Sequence, residues 1–436
     1  MKKFLLAFSV LFVSLSSLKA ELTIDITEGG RAPVPIAITD FSKGSDPSLA
    51  NVASQISEVV SADLARSGLF KLVNPQAYIQ TSDQVMQQPD FGGWKVINTE
   101  ALVGGSLKKE GGQMRVDFRL FDVYTQSQLA GLSLASDQNN WRRLAHKIAD
   151  TIYERITGDK GYFDTRIVYI HQKGRSKDVQ YRLAIMDQDG ENHQFLTSGQ
   201  SIVLTPRFSP DGKQVVYLDY GKDNKKPNLY LFDLQTGKNQ SLGSFPGLKM
   251  SPRFAPDGKT LLLSVADKGV TSLYSMDLSN RKISRLTKST GSIDVSPCYS
   301  PDGSQIVFTS DRGGKPKLYL MNAGGSEPQR ISFGEGLYFT PVWSPRGDLI
   351  AFTKQVPGGF YVGVMRPDGS GERMLAQDYL VEGPTWSPNG RVLLYTRQSH
   401  NRAPVKLFAV DVTGFNEYEV ATPGDATYGS WSPLID

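Results

Sequence analysis

The residue types that most often carry enzyme chemistry are few and scattered in this chain. Its four histidines are His146, His171, His193 and His400, and they belong to no H-E-x-x-H pattern and have no cysteine pair nearby. A zinc site is therefore not expected. No G-x-S-x-G segment is present, which excludes the nucleophile elbow of serine hydrolases. The sequence predicts no catalytic residue, no metal site and no cofactor.

Three further features have structural explanations. The GGSLKK segment at 104–109 lies between predicted strands and opens no helix, so it does not form a phosphate loop. The lone Cys298 cannot form an internal disulfide and is expected to be a buried apolar residue. Tight turns favour aspartate, although four of them at equivalent turns could also hold a cation. These are Asp187, Asp233, Asp277 and Asp411.

The chain is organised around a repeated turn in which an aromatic residue precedes S/A-P-D-G or a close variant. The six aromatic markers, spaced 43 to 46 residues apart, are Phe208, Phe254, Tyr299, Trp343, Trp386 and Trp431. Proline at the second position and glycine at the fourth fit a type I turn between two strands. About four short strands per repeat at this period predict the blades of a β-propeller.

The two ends of the repeat region complement each other. Segments 166–170, 181–190 and 193–197 have the pattern of the second, third and fourth strands of a blade, and segment 428–433 supplies a first strand. Pairing them would close a ring and remove exposed sheet edges. The expected fold is a small N-terminal α/β domain over 21–160, followed by a six-bladed β-propeller over 161–436.

The segment before the repeats has mixed periodicity. An alternating strand is predicted at 21–27, with Leu22, Ile24 and Ile26 on its apolar face. Two amphipathic helices are predicted at 46–67 and 141–156. Further strands are predicted at 34–41, 70–74, 101–109, 113–123 and 128–136.

The N-terminus has the pattern of a secretory signal. Lys2 and Lys3 precede an apolar run at 4–13 and a serine-rich stretch, so residues 1–20 are predicted to be a signal peptide. Its removal takes away three lysines and no acid, which leaves 45 basic and 44 acidic residues. This balance argues against nucleic-acid binding. No later segment approaches 18 continuous apolar residues, so no direct membrane insertion is expected.

The loops that lead into the first strand of each blade are unusually apolar. If that strand is the innermost of its blade, these loops gather on the face of the ring opposite the S-P-D-G turns. They would form a protein-binding patch there, or partly fill the mouth of the central channel. The candidate residues are Phe245, Leu248, Met250, Val295, Tyr338, Phe339, Tyr379, Leu380 and Tyr428.

This order of signal, strand, α/β domain and six P-x-W-S-P-D-G-type repeats resembles the TolB family of the Tol-Pal cell-envelope system. The resemblance implies a non-enzymatic, monomeric periplasmic protein that helps to maintain the outer membrane during cell division. It also implies that the propeller face binds the lipoprotein Pal, with contacts at Leu248, Ser251 and Val295, and that the N-terminal strand binds TolA. The alternative is a propeller hydrolase or lyase, or a peptidase-accessory propeller, with a metal in its channel.

Overall fold

A computed structural model describes residues 22–23, 32–174, 179–221, 226–243, 247–288, 291–325 and 328–435. The predicted signal peptide lies outside these residues, as do Ile24, Ile26 and Phe245. Leu22 and Thr23 are described and are not part of a strand.

The N-terminal domain contains one mixed sheet. Its strands are β1 (Val34–Ile38), β2 (Phe70–Leu72), β3 (Ala101–Glu110), β4 (Gln113–Asp122) and β5 (Ser127–Ser136), in the order β2-β1-β3-β4-β5. β1 is parallel to β2 and β3, and the other pairs are antiparallel. The helices are α1 (Ala50–Arg66), α2 (Ser82–Gln87), α3 (Phe91–Val96) and α4 (Trp141–Thr157), with 3-10 turns at Pro47–Leu49, Pro75–Ala77 and Gln138–Asn140.

The two long helices form where the apolar periodicity predicts them. Their apolar faces pack on each other and share one core with the sheet. α4 ends at Gly158, whose φ of 76° is the left-handed conformation that glycine adopts most readily. The short helices α2 and α3 have no counterpart among the predicted elements, and Thr81 and Gln84 form a capping box at the start of α2.

Six four-stranded antiparallel sheets follow, which confirms the predicted propeller. Blade 1 contains β9 (Val203–Phe208), β10 (Gln214–Asp219), β11 (Asn228–Asp233) and β12 (Asn239–Ser241); blade 2 contains β13 (Leu248–Phe254), β14 (Thr260–Asp267), β15 (Val270–Asp277) and β16 (Ile283–Arg285); blade 3 contains β17 (Asp294–Tyr299), β18 (Gln305–Ser310), β19 (Lys317–Asn322) and β20 (Gln329–Arg330). Blade 4 contains β21 (Leu337–Trp343), β22 (Ile350–Val356), β23 (Gly359–Met365) and β24 (Arg373–Asp378); blade 5 contains β25 (Leu380–Trp386), β26 (Val392–Gln398), β27 (Lys406–Asp411) and β28 (Glu417–Val420); blade 6 contains β29 (Asp425–Trp431), β6 (Arg166–Lys173), β7 (Gln180–Asp187) and β8 (Gln194–Phe195).

Blade 6 closes the ring with strands from both ends of the repeat region, as predicted. β29 pairs antiparallel with β6, from Asp425 opposite Gln172 to Trp431 opposite Ile167. The indole nitrogen of Trp431 donates to the Thr165 hydroxyl at 2.8 Å. Closure therefore combines main-chain pairing with a buried side-chain hydrogen bond.

The first strands of neighbouring blades contact each other around the ring and line a central channel. Each contains a β-bulge, and at each bulge one residue has positive φ. These bulge residues are Thr205, Ser251, Ser296, Thr340, Gly383 and Tyr428. A bulge bends its strand and re-aims the side chains on either side of it, so each first strand has two differently oriented halves.

The N-terminal domain contacts the propeller on the side of the S-P-D-G turns. Asp159 pairs with Arg346 at 2.8 Å and with Arg391 at 2.5 Å, in the turns of blades 4 and 5. The Asn389 amide donates to the carbonyl of Lys160 at 2.9 Å. The loops that lead into the first strands therefore lie on the opposite face from these contacts.

Candidate functional site

Exposed apolar side chains gather on the face formed by the loops that lead into the first strands. Leu248 begins β13 and is 37% exposed, and Ile293, just before β17, is 48% exposed. Phe333 lies between β20 and β21 and is 72% exposed, while Tyr379, between β24 and β25, is 53% exposed. Grouped apolar exposure of this kind marks interaction surfaces.

One position repeats around this face in all six blades, six residues before the aromatic marker. We call these residues the apolar rim; they are Ile202, Leu248, Ile293, Leu337, Leu380 and Asp425. Five are branched aliphatic residues, and all six are half-buried or exposed. The rim therefore presents aliphatic groups around most of the ring, with a single acid in blade 6.

Hydrogen bonds fix the loops beside the rim. The Lys317 ammonium donates to the carbonyls of Gly334 and Gly336, at 2.5 and 2.9 Å, and so holds the loop that carries Phe333. The backbone N–H of Ile293 donates to the Asp311 carboxylate at 2.7 Å. Because these supports already exist in the free protein, binding would cost less ordering entropy.

Most candidate residues from the sequence lie on this face, with different exposure. Leu248 and Tyr379 are exposed, and Leu380 is half-buried in the rim. Met250, Val295 and Phe339 are half-buried at equivalent positions just before the bulge. These three lie deeper in the first strands than the rim, so they line the mouth of the channel rather than its outer edge.

The prediction that Tyr338 is a contact residue is wrong, because its side chain is fully buried. Its hydroxyl donates to the Glu372 carboxylate at 2.9 Å, and the Lys317 and Lys354 ammoniums lie 4.6 and 4.9 Å from its ring centroid. Side chains alternate along a strand, and Leu337 and Phe339 take the other face of β21. Tyr338 therefore holds blades 3 and 4 together beneath the surface.

Ser251 and Tyr428 are bulge residues, with φ values of 50° and 54°. The backbone N–H of Tyr428 donates to the Thr396 hydroxyl of blade 5 at 3.2 Å. Burial, followed by the charge of Glu382, raises the pKa of the Tyr428 phenol. Both residues are half-buried at the channel wall, and their roles as partner contacts stay predictions.

Four residues on this face were not predicted from the sequence. Three are the rim residues Ile202, Ile293 and Leu337, and the fourth is the loop residue Phe333. The first three share a fixed offset from the aromatic marker, which aligning the six repeats would have revealed. Phe333 has no equivalent offset, and only its position in the loop between β20 and β21 identifies it.

The described start of the N-terminal segment is docked on its own domain. The backbone N–H of Leu22 donates to the Asp122 carboxylate at 3.1 Å, at the end of β4. The Leu22 side chain is half-buried against the core of the domain. The described part of this segment is therefore docked on the N-terminal domain through a hydrogen bond and apolar packing.

One cluster contains residue types that can bind a metal ion. Asp63, His146 and Asp189 bring single ligand atoms within 4.8 Å of one another, between α1, α4 and blade 6. Both carboxylates already pair with arginine, Asp63 with Arg66 at 2.9 Å and Asp189 with Arg142. With its negative charge compensated in this way, the cluster is best described as a buried ion-pair network between the two domains.

Family models match both parts of the chain. The TolB amino-terminal domain matches residues 22–129, and the TolB beta propeller domain matches residues 153–435. The chain belongs to the TolB family. The boundary at residues 160/161 stays a prediction, since the two matched ranges leave 130–152 unassigned.

Individual TolB proteins support the same assignment. The chain is 45% identical over 420 residues to the Tol-Pal system protein TolB of Gluconobacter oxydans, covering 95% of this chain and 89% of that protein. It is 52% identical over 224 residues to the Tol-Pal system protein TolB of Paramagnetospirillum magneticum, covering about half of each chain. The crystal structure of TolB from Acinetobacter baumannii has a TM-score of 0.82 at 28% identity, covering 95% of this chain and 100% of that one.

Membership of the TolB family makes the chain a non-enzymatic component of a cell-envelope system, as predicted. The alternative of a hydrolase, lyase or peptidase-accessory propeller is not supported by these relatives. Among the described residues, no helix has both the length and the apolar character that a membrane crossing needs.

Proposed function

We propose that this protein works in the periplasm as a protein-binding scaffold of the Tol-Pal system, with Pal on its apolar rim and TolA on its N-terminal strand. The observation that carries the proposal is the rim itself, an aliphatic ring beside the exposed Phe333 and Tyr379. Leu22, an apolar residue that begins the described N-terminal segment and docks at the end of β4, supports the second half. By joining an outer-membrane lipoprotein to TolA, the scaffold would help the envelope to constrict at division.

The rim fits a protein partner better than a small ligand. Its residues are spread around the ring, and the residues deeper in the first strands surround the mouth of the channel. Protein interfaces concentrate their binding energy in a few central apolar anchors surrounded by polar groups. Leu248 and Ile293 lie in adjacent blades and are the most exposed rim residues, so we expect them to lie near the centre of the Pal interface.

The proposal is tested by placing a charge in the rim. Leu248→Asp and Ile293→Asp should each weaken binding of Pal's soluble domain by at least ~2 kcal/mol, because the carboxylate would be desolvated in the complex. Isothermal titration calorimetry measures this directly. Melting temperatures within a few degrees of the unchanged protein would show that the fold is intact.

Phe415→Asp is the matched control. Phe415 is 79% exposed in the turn between β27 and β28, on the opposite face of the ring. It should leave Pal affinity unchanged. If both rim variants bind Pal as tightly as the unchanged protein, or if Phe415→Asp alone weakens binding, Pal uses another surface.

The N-terminal strand suits addition to the edge of a partner's sheet. Such binding uses main-chain hydrogen bonds from an extended segment, with side-chain pockets for alternate residues, which Leu22, Ile24 and Ile26 would fill. Leu22 first has to leave Asp122 and the domain core. Docking thus lowers the apparent affinity for TolA, because only the molecules in which the segment is free can bind TolA.

A further inference from the structure

Two arginines lie side by side in the channel wall. Arg207 in β9 and Arg253 in β13 take equivalent positions, one residue after the proline of the bulge in blades 1 and 2. The equivalent residues in the other four blades are all uncharged: Cys298, Val342, Thr385 and Ser430. Positive charge is therefore concentrated on one side of the channel at a single level.

Neither arginine is neutralised. Across the residues that the structure describes, no carboxylate lies within 4.0 Å of either guanidinium. One terminal nitrogen of Arg207 donates to the carbonyl of Pro206 at 2.7 Å, which satisfies only one of its five N–H groups. Both side chains are half-buried in the channel wall, where partial desolvation makes a cation without a counter-charge costly.

Both arginines line a cavity of about 330 Å³ at the end of the channel nearest the S-P-D-G turns. Its wall contains all six aromatic marker residues and the prolines of five of the six S/A-P pairs. Hydroxyl groups are added to this mostly apolar wall by Ser209, Ser300, Thr385 and Ser430. Its volume lies at the lower end of the range for small-molecule sites.

The two charges also disfavour each other. Burial, and then the positive charge of Arg253, lowers the pKa of Arg207. Burial lowers the pKa of Arg253 as well. Arginine nevertheless stays protonated in proteins. The repulsion between the two guanidinium groups would therefore be offset by a bound anion and not by loss of a proton.

We propose that this cavity, which we call the arginine chamber, binds a small organic oxyanion, a carboxylate or a phosphate monoester, with Arg207 and Arg253 on its charged group and the aromatic wall around its apolar body. Guanidinium groups bind both oxyanions through paired, charge-assisted hydrogen bonds. The chamber lies at the opposite end of the channel from the apolar rim and shares no residue with it. The site is therefore independent of the proposed function.

The test uses the full-length mature protein and three probes: inorganic phosphate, phenyl phosphate and benzoate. Native mass spectrometry and titration calorimetry should detect one bound molecule of phenyl phosphate or benzoate. Inorganic phosphate should bind more weakly, because it lacks an apolar body. Arg207→Gln and Arg253→Gln should each weaken binding at least ~10-fold, since each removes charge-assisted hydrogen bonds.

Lys259→Gln is the control, because Lys259 is exposed in the S-P-D-G turn of blade 2 and its replacement removes the same charge outside the chamber. It should leave the affinity unchanged. Arg207→Lys should bind more tightly than Arg207→Gln because it keeps the charge, and it provides a second variant if the neutral one fails to fold.

Three results would overturn the proposal. The first is that no probe binds the unchanged protein with a Kd below about 1 mM. The second is that both glutamine variants bind as the unchanged protein does, and the third is that Lys259→Gln weakens binding as much as they do. Preference for phenyl phosphate over benzoate, or the reverse, would decide between the two oxyanions. Pal affinity should be unchanged in both glutamine variants.

Discussion

The ion-pair network between the two domains should make their attachment depend on pH. Nδ1 of His146 lies 2.6 Å from one carboxylate oxygen of Asp63, whose other oxygen accepts from Arg66 and Gln188, each at 2.9 Å. Asp63 lies in α1, His146 in α4 and Gln188 directly after β7 of blade 6. Asp63 is fully buried, so changing it to asparagine tests the whole network with little change in shape.

The direction in which stability changes with pH follows from the pKa of His146. Burial alone would lower the pKa of His146, but the charges of Asp63, Asp189 and Asp187 and the hydrogen bond to Asp63 outweigh burial and raise the pKa above its ordinary value. A histidine with a raised folded-state pKa stabilises the fold fully below its unfolded pKa of ~6.5 and loses that contribution as the pH rises through the folded pKa. The network therefore contributes most in mildly acidic solution.

Asp63→Asn should cost about 3 kcal/mol near pH 5.5, the lower end of the range for removing one partner of a buried ion pair, because the amide oxygen still accepts one hydrogen bond. The loss should become smaller as the pH rises through the raised pKa of His146, because the imidazole then loses its charge. His146→Gln should remove this part of the pH dependence. The exposed His400 provides the control, His400→Gln, which should retain it.

Urea unfolding at several pH values, followed by tryptophan fluorescence, provides the measurement. Separate transitions for the two domains would have to be fitted individually, since a two-state analysis fails for them. A penalty for Asp63→Asn that stays constant or grows between about pH 5.5 and pH 8.5 would refute a protonated His146 in the folded protein.

The remaining predictions concern the C-terminal strand β29 and the N-terminal segment that contains Leu22. Deleting residues 427–436 removes most of β29 and exposes the edge of β6, so we expect aggregation or loss of cooperative unfolding by calorimetry; a truncated protein with an unchanged melting temperature would contradict the closure argument. A mature form that begins at Gly29 lacks Leu22, Ile24 and Ile26, and it should lose TolA binding while keeping Pal binding. It should lose about 2 kcal/mol of stability, from the hydrogen bond to Asp122 and the half-buried Leu22 side chain together; unchanged TolA affinity would mean that the strand is purely structural.

The propeller could be predicted because its signal is local and repeated. Each S-P-D-G turn fixes a hairpin by itself, and six equally spaced copies determine the number of blades without any knowledge of long-range contacts. Ring closure followed from two fragments that complete one blade. α2 and α3 escaped because each is only six residues long, too short for a helical period to stand out.

The candidate site was predicted less well, because the exposure of a side chain depends on the residue at which its strand begins. Tyr338 and Phe339 were both predicted to lie in a loop, yet β21 begins at Leu337, so alternation along the strand buries Tyr338 and turns Leu337 and Phe339 to the other face. The network at His146 could not be predicted at all. Asp63 and His146 are 83 positions apart, and only the packing of α1 on α4 brings them together.

Ion pairs join the N-terminal domain to the propeller at two places, beside a shared apolar core and further hydrogen bonds, and the surroundings of these ion pairs differ. Asp159 binds Arg346 and Arg391 near the surface, where solvent weakens ion pairs, whereas Asp63, His146 and Asp189 are enclosed at blade 6. If TolA and Pal bind as proposed, their sites at Leu22 and the apolar rim share no residue, and coupling between them would pass through the contacts between the two domains. Such coupling acts equally in both directions, because a ligand that shifts the docking equilibrium is itself favoured by that shift. Since the buried network holds α1 and α4 on blade 6, mild acid should strengthen the attachment through which a signal between the two binding sites would pass.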